Sequence, residues 1–125
     1  MKTTAIRLGL AAALIAAALA GVAARQAPAP KKGYIIAEVA VSNADQYAEY
    51  AKRTPAIVEQ YGGRFIARGG QVATLEGAAA AGRVVIIEFP SFERAKAYFE
   101  SADYQAARKF RLGAANFRGV LVEGL

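Results

Sequence analysis

Apolar residues change their spacing along this chain in a readable order. Gly33 to Val41, GYIIAEVAV, is rich in β-formers and predicts a first strand. Asn43 then stands as a helix N-cap with Gln46 three residues on, a capping-box arrangement. Tyr47, Tyr50, Ala51, Ile57, Val58 and Tyr61 follow at helical spacing. Pro55 interrupts them, so the helix is expected to kink or restart with Thr54 as the second cap. Gly62 falls where a left-handed residue closes a helix.

RFIAR, Arg64 to Arg68, predicts a short second strand, and Gly69-Gly70 ends it. QVATLEG, Gln71 to Gly77, is expected to add a further extended piece, and AAAAG a loop. RVVIIEF, Arg83 to Phe89, is the clearest strand, stopped by Pro90. Ser91 caps a helix with Glu93 in its first turn, where a negative charge is favoured. Phe92, Ala95 and Phe99 supply its expected apolar stripe. Ser101 caps another helix, ADYQAARKFRL, ending at Gly113, and NFRGVLVEG closes the chain as a strand. The order β-α-β-β-α-β predicts an α+β fold: a ferredoxin-like sandwich, one antiparallel sheet with helices on one face.

Strand side chains alternate between faces. One set is Ile35, Ala37, Val39 and Val41, Phe65 and Ala67, Val85, Ile87 and Phe89, and Val120 and Val122. All are apolar, so this face is expected under the helices. The other set is Tyr34, Ile36 and Glu38, Arg64, Ile66 and Arg68, Val84, Ile86 and Glu88, and Phe117, Leu121 and Glu123. It is too apolar to face water alone, since monomers rarely expose patches of that size. A second copy covering it would make a homodimer, sheet against sheet, with a cavity into which Glu38 and Glu88 project.

The first residues change the charge picture. The chain carries +6, but Lys2, Arg7, Arg25, Lys31 and Lys32 all precede Gly33. From Gly33 onward, 11 Lys and Arg meet 10 Asp and Glu. The basic balance therefore argues for no nucleic-acid partner. Leu8 to Ala24 has no charge, is rich in Ala and Leu, and ends in small residues, notably Ala18-Leu19-Ala20 and Val22-Ala23-Ala24. Residues 1–24 are read as a signal peptide for export to the periplasm or medium, with no stable membrane association after cleavage. The alternative is an uncleaved membrane anchor, for which the stretch is short and diluted by alanine. Residues 25–32, RQAPAPKK, form a Pro/Ala-rich basic spacer, and residues 33–125 the folded domain.

Cys and His are both absent from the sequence. That excludes disulfides, thiolate nucleophiles, zinc–sulfur sites and a Ser-His-Asp triad. No metal and no cofactor is expected. Glu88, with Glu38, is the candidate catalytic base, because a carboxylate in a partly dry pocket can have a raised pKa. Ordinary ion pairing with Arg64, Arg68 or Arg118 explains the same residues. Arg64 and Arg68, two strand steps apart, could grip a carboxylate, or balance the two glutamates. Tyr34 shares their face. Tyr104 could hydrogen-bond a ligand and Arg111 attract an anion, or both could pack with polar tips outward.

YGGRFIARGG, LEG, VVIIEFPSFERAKAYFES and SADYQAARKFR resemble the domain-of-unknown-function family 1330, over Gly33 to Gly124. The resemblance implies membership of the dimeric α+β barrel superfamily, a ferredoxin-like protomer and a two-fold dimer, and it implies no established activity. The family often has Trp where this chain has Tyr98. Two functional expectations stand: a binder of a small organic acid, or a cofactor-independent oxygenase or isomerase acting on a small aromatic or carboxylic acid.

Overall fold

The computed structural model describes residues 28–125, so the expected signal peptide and the first three residues of the spacer lie outside the described residues. Eight elements follow in the order β1 (Gly33–Val41), α1 (Ala44–Ala51), α2 (Thr54–Gln60), β2 (Arg64–Arg68), β3 (Arg83–Phe89), α3 (Phe92–Glu100), α4 (Ala102–Arg111) and β4 (Ala115–Glu123). The strands form one sheet in the order β2-β3-β1-β4. Every pairing is antiparallel, although β1 and β2, and likewise β3 and β4, are joined through helices. This is the ferredoxin-like α+β arrangement that the element order predicts.

Local chemistry sets the helix ends. The Asn43 side chain accepts from the Gln46 amide, and Ser91 Oγ accepts from Arg94 N at 3.1 Å. Ser101 works in both directions: Oγ donates to Tyr98 O at the end of α3 and accepts from Tyr104 N at the start of α4. One hydroxyl therefore satisfies two helix termini. Thr54 does not cap α2. Arg53 holds that position without a side-chain bond, Pro55 occupies the first turn, and Thr54 Oγ1 donates back to Ala51 O. Gly62 closes α2 at φ +76°, the left-handed conformation expected of it. The expected extended piece at Gln71–Gly77 forms no strand: it pairs with none of the four strands, and its Leu75 is 96% exposed.

The core lies between the sheet and the helices. Val39, Phe89 and Val58 are each 1% exposed, and Ala95, Tyr98 and Tyr104 come from the helices to meet them. The stripe of α3 is Ala95 and Tyr98; Phe99 is partly exposed, because it lies one position beyond Tyr98 around the helix. Burying each large side chain of this kind contributes about 1.5–3 kcal/mol.

Two registers differ from the expected faces. In β4, Phe117 pairs with Val39 and Leu121 with Ile35, so both join the helix face and pack on the core. Val120 and Val122, each 43% exposed, take the outer face. Alternation alone leaves two phases for FRGVLVE; pairing with β1 selects the one that puts Gly119 beside Ala37. In β2, a bulge between Phe65 and Ala67 shifts the phase by one residue. Arg68 consequently pairs with Val85 and turns to the helix side, away from Arg64.

β1 begins in close contact with the start of α3. A Cβ on Gly33 would stand 2.6 Å from Ser91 O and 2.8 Å from Phe92 Cα, both backbone. Gly33→Ala is expected to cost about 1–3 kcal/mol, as overpacking against fixed atoms does. Urea denaturation with circular dichroism checks it, and an unchanged midpoint would contradict the packing. Ser101→Ala, which strips two helix ends at once, is expected to cost about 1–2 kcal/mol in the same measurement, and more than Ser91→Ala.

Candidate functional site: a cavity between sheet and helices

Glu88 is the penultimate residue of β3 and lies on the outer face, with cross-strand neighbours Tyr34 on β1 and Arg64 on β2. Its carboxylate accepts from Arg64 Nε at 3.1 Å and from Tyr34 Oη at 3.3 Å, and Lys32 Nζ lies 3.7 Å away. Desolvation, the largest influence on its pKa, acts to raise it. The Arg64 hydrogen bond and charge, the Lys32 charge and the Tyr34 hydrogen bond together prevail and hold the carboxyl below its ordinary value. The expected rise is thus reversed, and Glu88 is ionised at neutral pH. Burial and the neighbouring Glu88 charge raise the Tyr34 phenol, which remains a donor. Glu38 faces the same way and meets Arg118 at 3.5 Å in a solvated pair.

The opposite face of the sheet carries the cavity. About 350 Å³ of space lies under the helices, over Ile35, Val85, Ile87 and Leu121. Pockets of this size hold small organic ligands. Glu38, Glu88, Tyr34 and Arg64 do not line it; Arg68, Tyr104 and Arg111 do. The expected residues therefore divide into two groups on opposite sides of one sheet. The expectation of a cavity between two sheets concerns the outer side, whereas the space seen within this protomer is on the inner side.

Tyr104 and Arg111 are more buried than a reading with polar tips outward allows, at 2% and 5% exposure. Tyr104 Oη lies 3.0 Å from Tyr50 Oη on α1, and an Arg111 terminal nitrogen approaches Tyr104 Oη at 3.4 Å. The Arg111 guanidinium stacks 3.7 Å from the Phe117 ring centroid. Burial raises the Tyr50 phenol, and Tyr104 adds to the effect through charge and hydrogen bond; Arg111 opposes it. Burial raises Tyr98 as well, with Tyr104 adding to it. Both phenols stay protonated at neutral pH and can only donate or share hydrogen bonds, not act as bases.

The lining contains Arg68, Arg83, Lys96, Arg108 and Arg111 and no carboxylate. Arg68 is engaged, donating to Ala51 O at 2.7 Å and stacking on Phe65. Arg83 Nε and Arg108 Nε are buried without a hydrogen-bond partner, as is Arg111 Nε. Among the described residues no group of three or more His, Cys, Asp or Glu side chains is placed to hold a metal ion. Sequence reasoning missed Tyr50, Arg83, Lys96 and Arg108 as site residues. A signal for Arg108 was present: Tyr104, Ala107, Arg108 and Arg111 fall at i, i+3, i+4 and i+7, one helix face that carries two arginines inward. Arg83 had one too: strand alternation sets it on the face of Val85, Ile87 and Phe89, and its pairing with Val39 has it there.

Solved structures share this architecture. A protein of unknown function from Rhodopseudomonas palustris is 20% identical at a TM-score of 0.62, with 98% of each chain covered. SnoaB, a cofactor-independent oxygenase from Streptomyces nogalater, is 10% identical at a TM-score of 0.53, covering 74% of this chain and 91% of its own. A dimeric protein of unknown function with a ferredoxin-like fold, from Bacteroides fragilis, is 12% identical at a TM-score of 0.51, covering 74% and 95%. At these identities the likeness is one of fold. No functionally curated protein matches the chain. The family described as a domain of unknown function, DUF1330, matches residues 32–125. With the whole sheet and every described helix inside that match, the chain belongs to the DUF1330 family.

Proposed function

We propose that the protein binds a small, mostly apolar molecule in the cavity between its sheet and its helices, as an exported homodimer. The carrying observation is the cavity itself: about 350 Å³ at the centre of a small domain, walled by aliphatic and aromatic side chains with a few convergent polar groups.

Binding is favoured over turnover by where the carboxylates stand. The alternative, a cofactor-independent oxygenase or isomerase with Glu88 as base, has support in the fold shared with SnoaB. Against it, Glu88 is held ionised by Arg64 and Lys32 on the sheet face remote from the cavity, and no carboxylate lines that cavity.

The homodimer rests on the outer face. Ile36, Ile66, Val120 and Val122 are between 37% and 47% exposed there, beside half-buried Val84 and Ile86. A self-complementary apolar sheet face rimmed by the Glu38–Arg118 and Glu88–Arg64 pairs suits a two-fold partner. The fold-mate from Bacteroides fragilis is dimeric. Export rests on the apolar stretch from Leu8 to Ala24. Mass spectrometry of the mature N-terminus tests it: a start just after Ala20 or Ala24 is expected, and an intact Met1 or Lys2 end on exported protein contradicts it.

Thermal-shift measurement with a panel of aryl and alkyl compounds tests the binding role. At least one is expected to raise Tm by several degrees, as ligand in large excess over Kd does. Ala37→Phe, which fills the cavity from the sheet, is expected to abolish that shift while circular dichroism stays native. No shift across the panel would overturn the reading. Ile36→Glu, which sets a charge at the centre of the outer face, is expected to weaken the dimer by roughly 100-fold or more in sedimentation equilibrium. A wild-type monomer at about ten micromolar would contradict the dimer, given the affinities ordinary interfaces reach.

A further inference from the structure

Arg111 is the most telling group in the cavity wall. It is 5% exposed, yet it belongs to none of the ion pairs found among the described residues. Two rings enclose its guanidinium, Phe117 at 3.7 Å and Tyr50 at 5.3 Å from their centroids. Ring faces attract a cation but accept no ordinary hydrogen bonds. Among the described residues its one side-chain hydrogen bond, to Tyr104 Oη, is long at 3.4 Å, and Nε has no partner. Buried guanidinium groups are normally paired.

The tyrosines add to the surplus of donors. Their hydroxyls lie 3.0 Å apart and either can donate to the other. One proton is used between them, and Tyr104 oxygen is the atom that Arg111 approaches. The second hydroxyl proton has no acceptor among the described residues, whichever tyrosine carries it. Lys96, Arg83 and Arg108 add positive charge around the same space without a carboxylate to balance it. A cluster of donors and cations short of acceptors is matched by an anion.

We propose that Arg111, with the Tyr50–Tyr104 hydroxyl pair, is the anion-recognition end of the cavity, and that the ligand is a small monocarboxylate with an aromatic or branched apolar body. The carboxylate accepts from the Arg111 guanidinium and from the spare tyrosine hydroxyl, and the apolar body lies over Val85, Ile87 and Leu121 on the sheet. The cavity admits one such molecule: its volume is at the lower end for organic ligands. This assignment rests on the cavity being a binding site, and it adds the chemical class that the site selects.

Titration calorimetry at about pH 7, where a carboxylic acid is ionised, separates the two claims with matched probes. Phenylbutyrate and 4-methylpentanoate are each compared with their uncharged primary amides. Each acid is expected to bind at least ~10-fold more tightly than its amide, the difference a buried charge-assisted hydrogen bond makes. Arg111→Met is expected to abolish that preference. Tyr104→Phe and Tyr50→Phe, which remove only a hydroxyl and keep the packing, are expected to shrink it severalfold. The ratio of acid to amide affinity is the readout, since a purely structural role for Arg111 changes both alike. Equal binding of acid and amide overturns the anion site and leaves the cavity reading standing. An acid preference that survives in folded Arg111→Met, or that is undiminished in Tyr104→Phe, also overturns it. Failure of all four probes to bind overturns both.

Discussion

The central strand decides this molecule. β1 pairs residue for residue with β3 on one side and with β4 on the other, so its parity is imposed on its neighbours. Ile35 sits between Ile87 and Leu121, and Ala37 between Val85 and Gly119. A strand side chain has only two directions, and a slip of one residue would exchange them. That constraint places Phe117 over the core, Glu88 on the outer face and Arg83 in the cavity wall. It also brings the small residues Ala37 and Gly119 side by side beneath the helices, where larger ones would occupy the space.

Above those small residues the helices supply the polar chemistry. α4 carries Tyr104, Arg108 and Arg111 on one side, and α1 contributes Tyr50. Positive side chains in the last turn of α4 lie near the negative end of its dipole, which favours them. That attraction does not give Arg111 the hydrogen-bond acceptors that burial takes away. The outer face shows the contrary case. Glu88, though half-buried, has Arg64, Tyr34 and Lys32 around it and is satisfied within the chain. Between Glu88 and Arg111, the glutamate is complete and the arginine is not.

Much of this was legible in the residues. The strands at Gly33–Val41 and Arg83–Phe89, the break at Pro55, the caps at Asn43, Ser91 and Ser101 and the left-handed Gly62 all follow from local chemistry, and the structure has them. The faces of β4 were not legible, because Phe117 and Leu121 in one phase and Val120 and Val122 in the other are equally apolar. The bulge in β2 was invisible as well: nothing in RFIAR marks one, and only its pairing with β3 shows that Arg68 turns inward. The candidate site residues divide between the two faces. Tyr104 and Arg111 were found by their chemistry, and they line the cavity; Glu88 and Glu38 were found by the pleat, on a face the cavity does not touch.

The claim on which the account turns is that the ligand enters beneath the helices and not between two sheets. Methyl-resolved NMR during titration with phenylbutyrate tests it directly, because the two faces carry different methyl groups. The account predicts shifts concentrated at Ile35, Val85, Ile87 and Leu121, with Ile36, Ile66, Ile86 and Val122 nearly still. Shifts concentrated at the second group would contradict it.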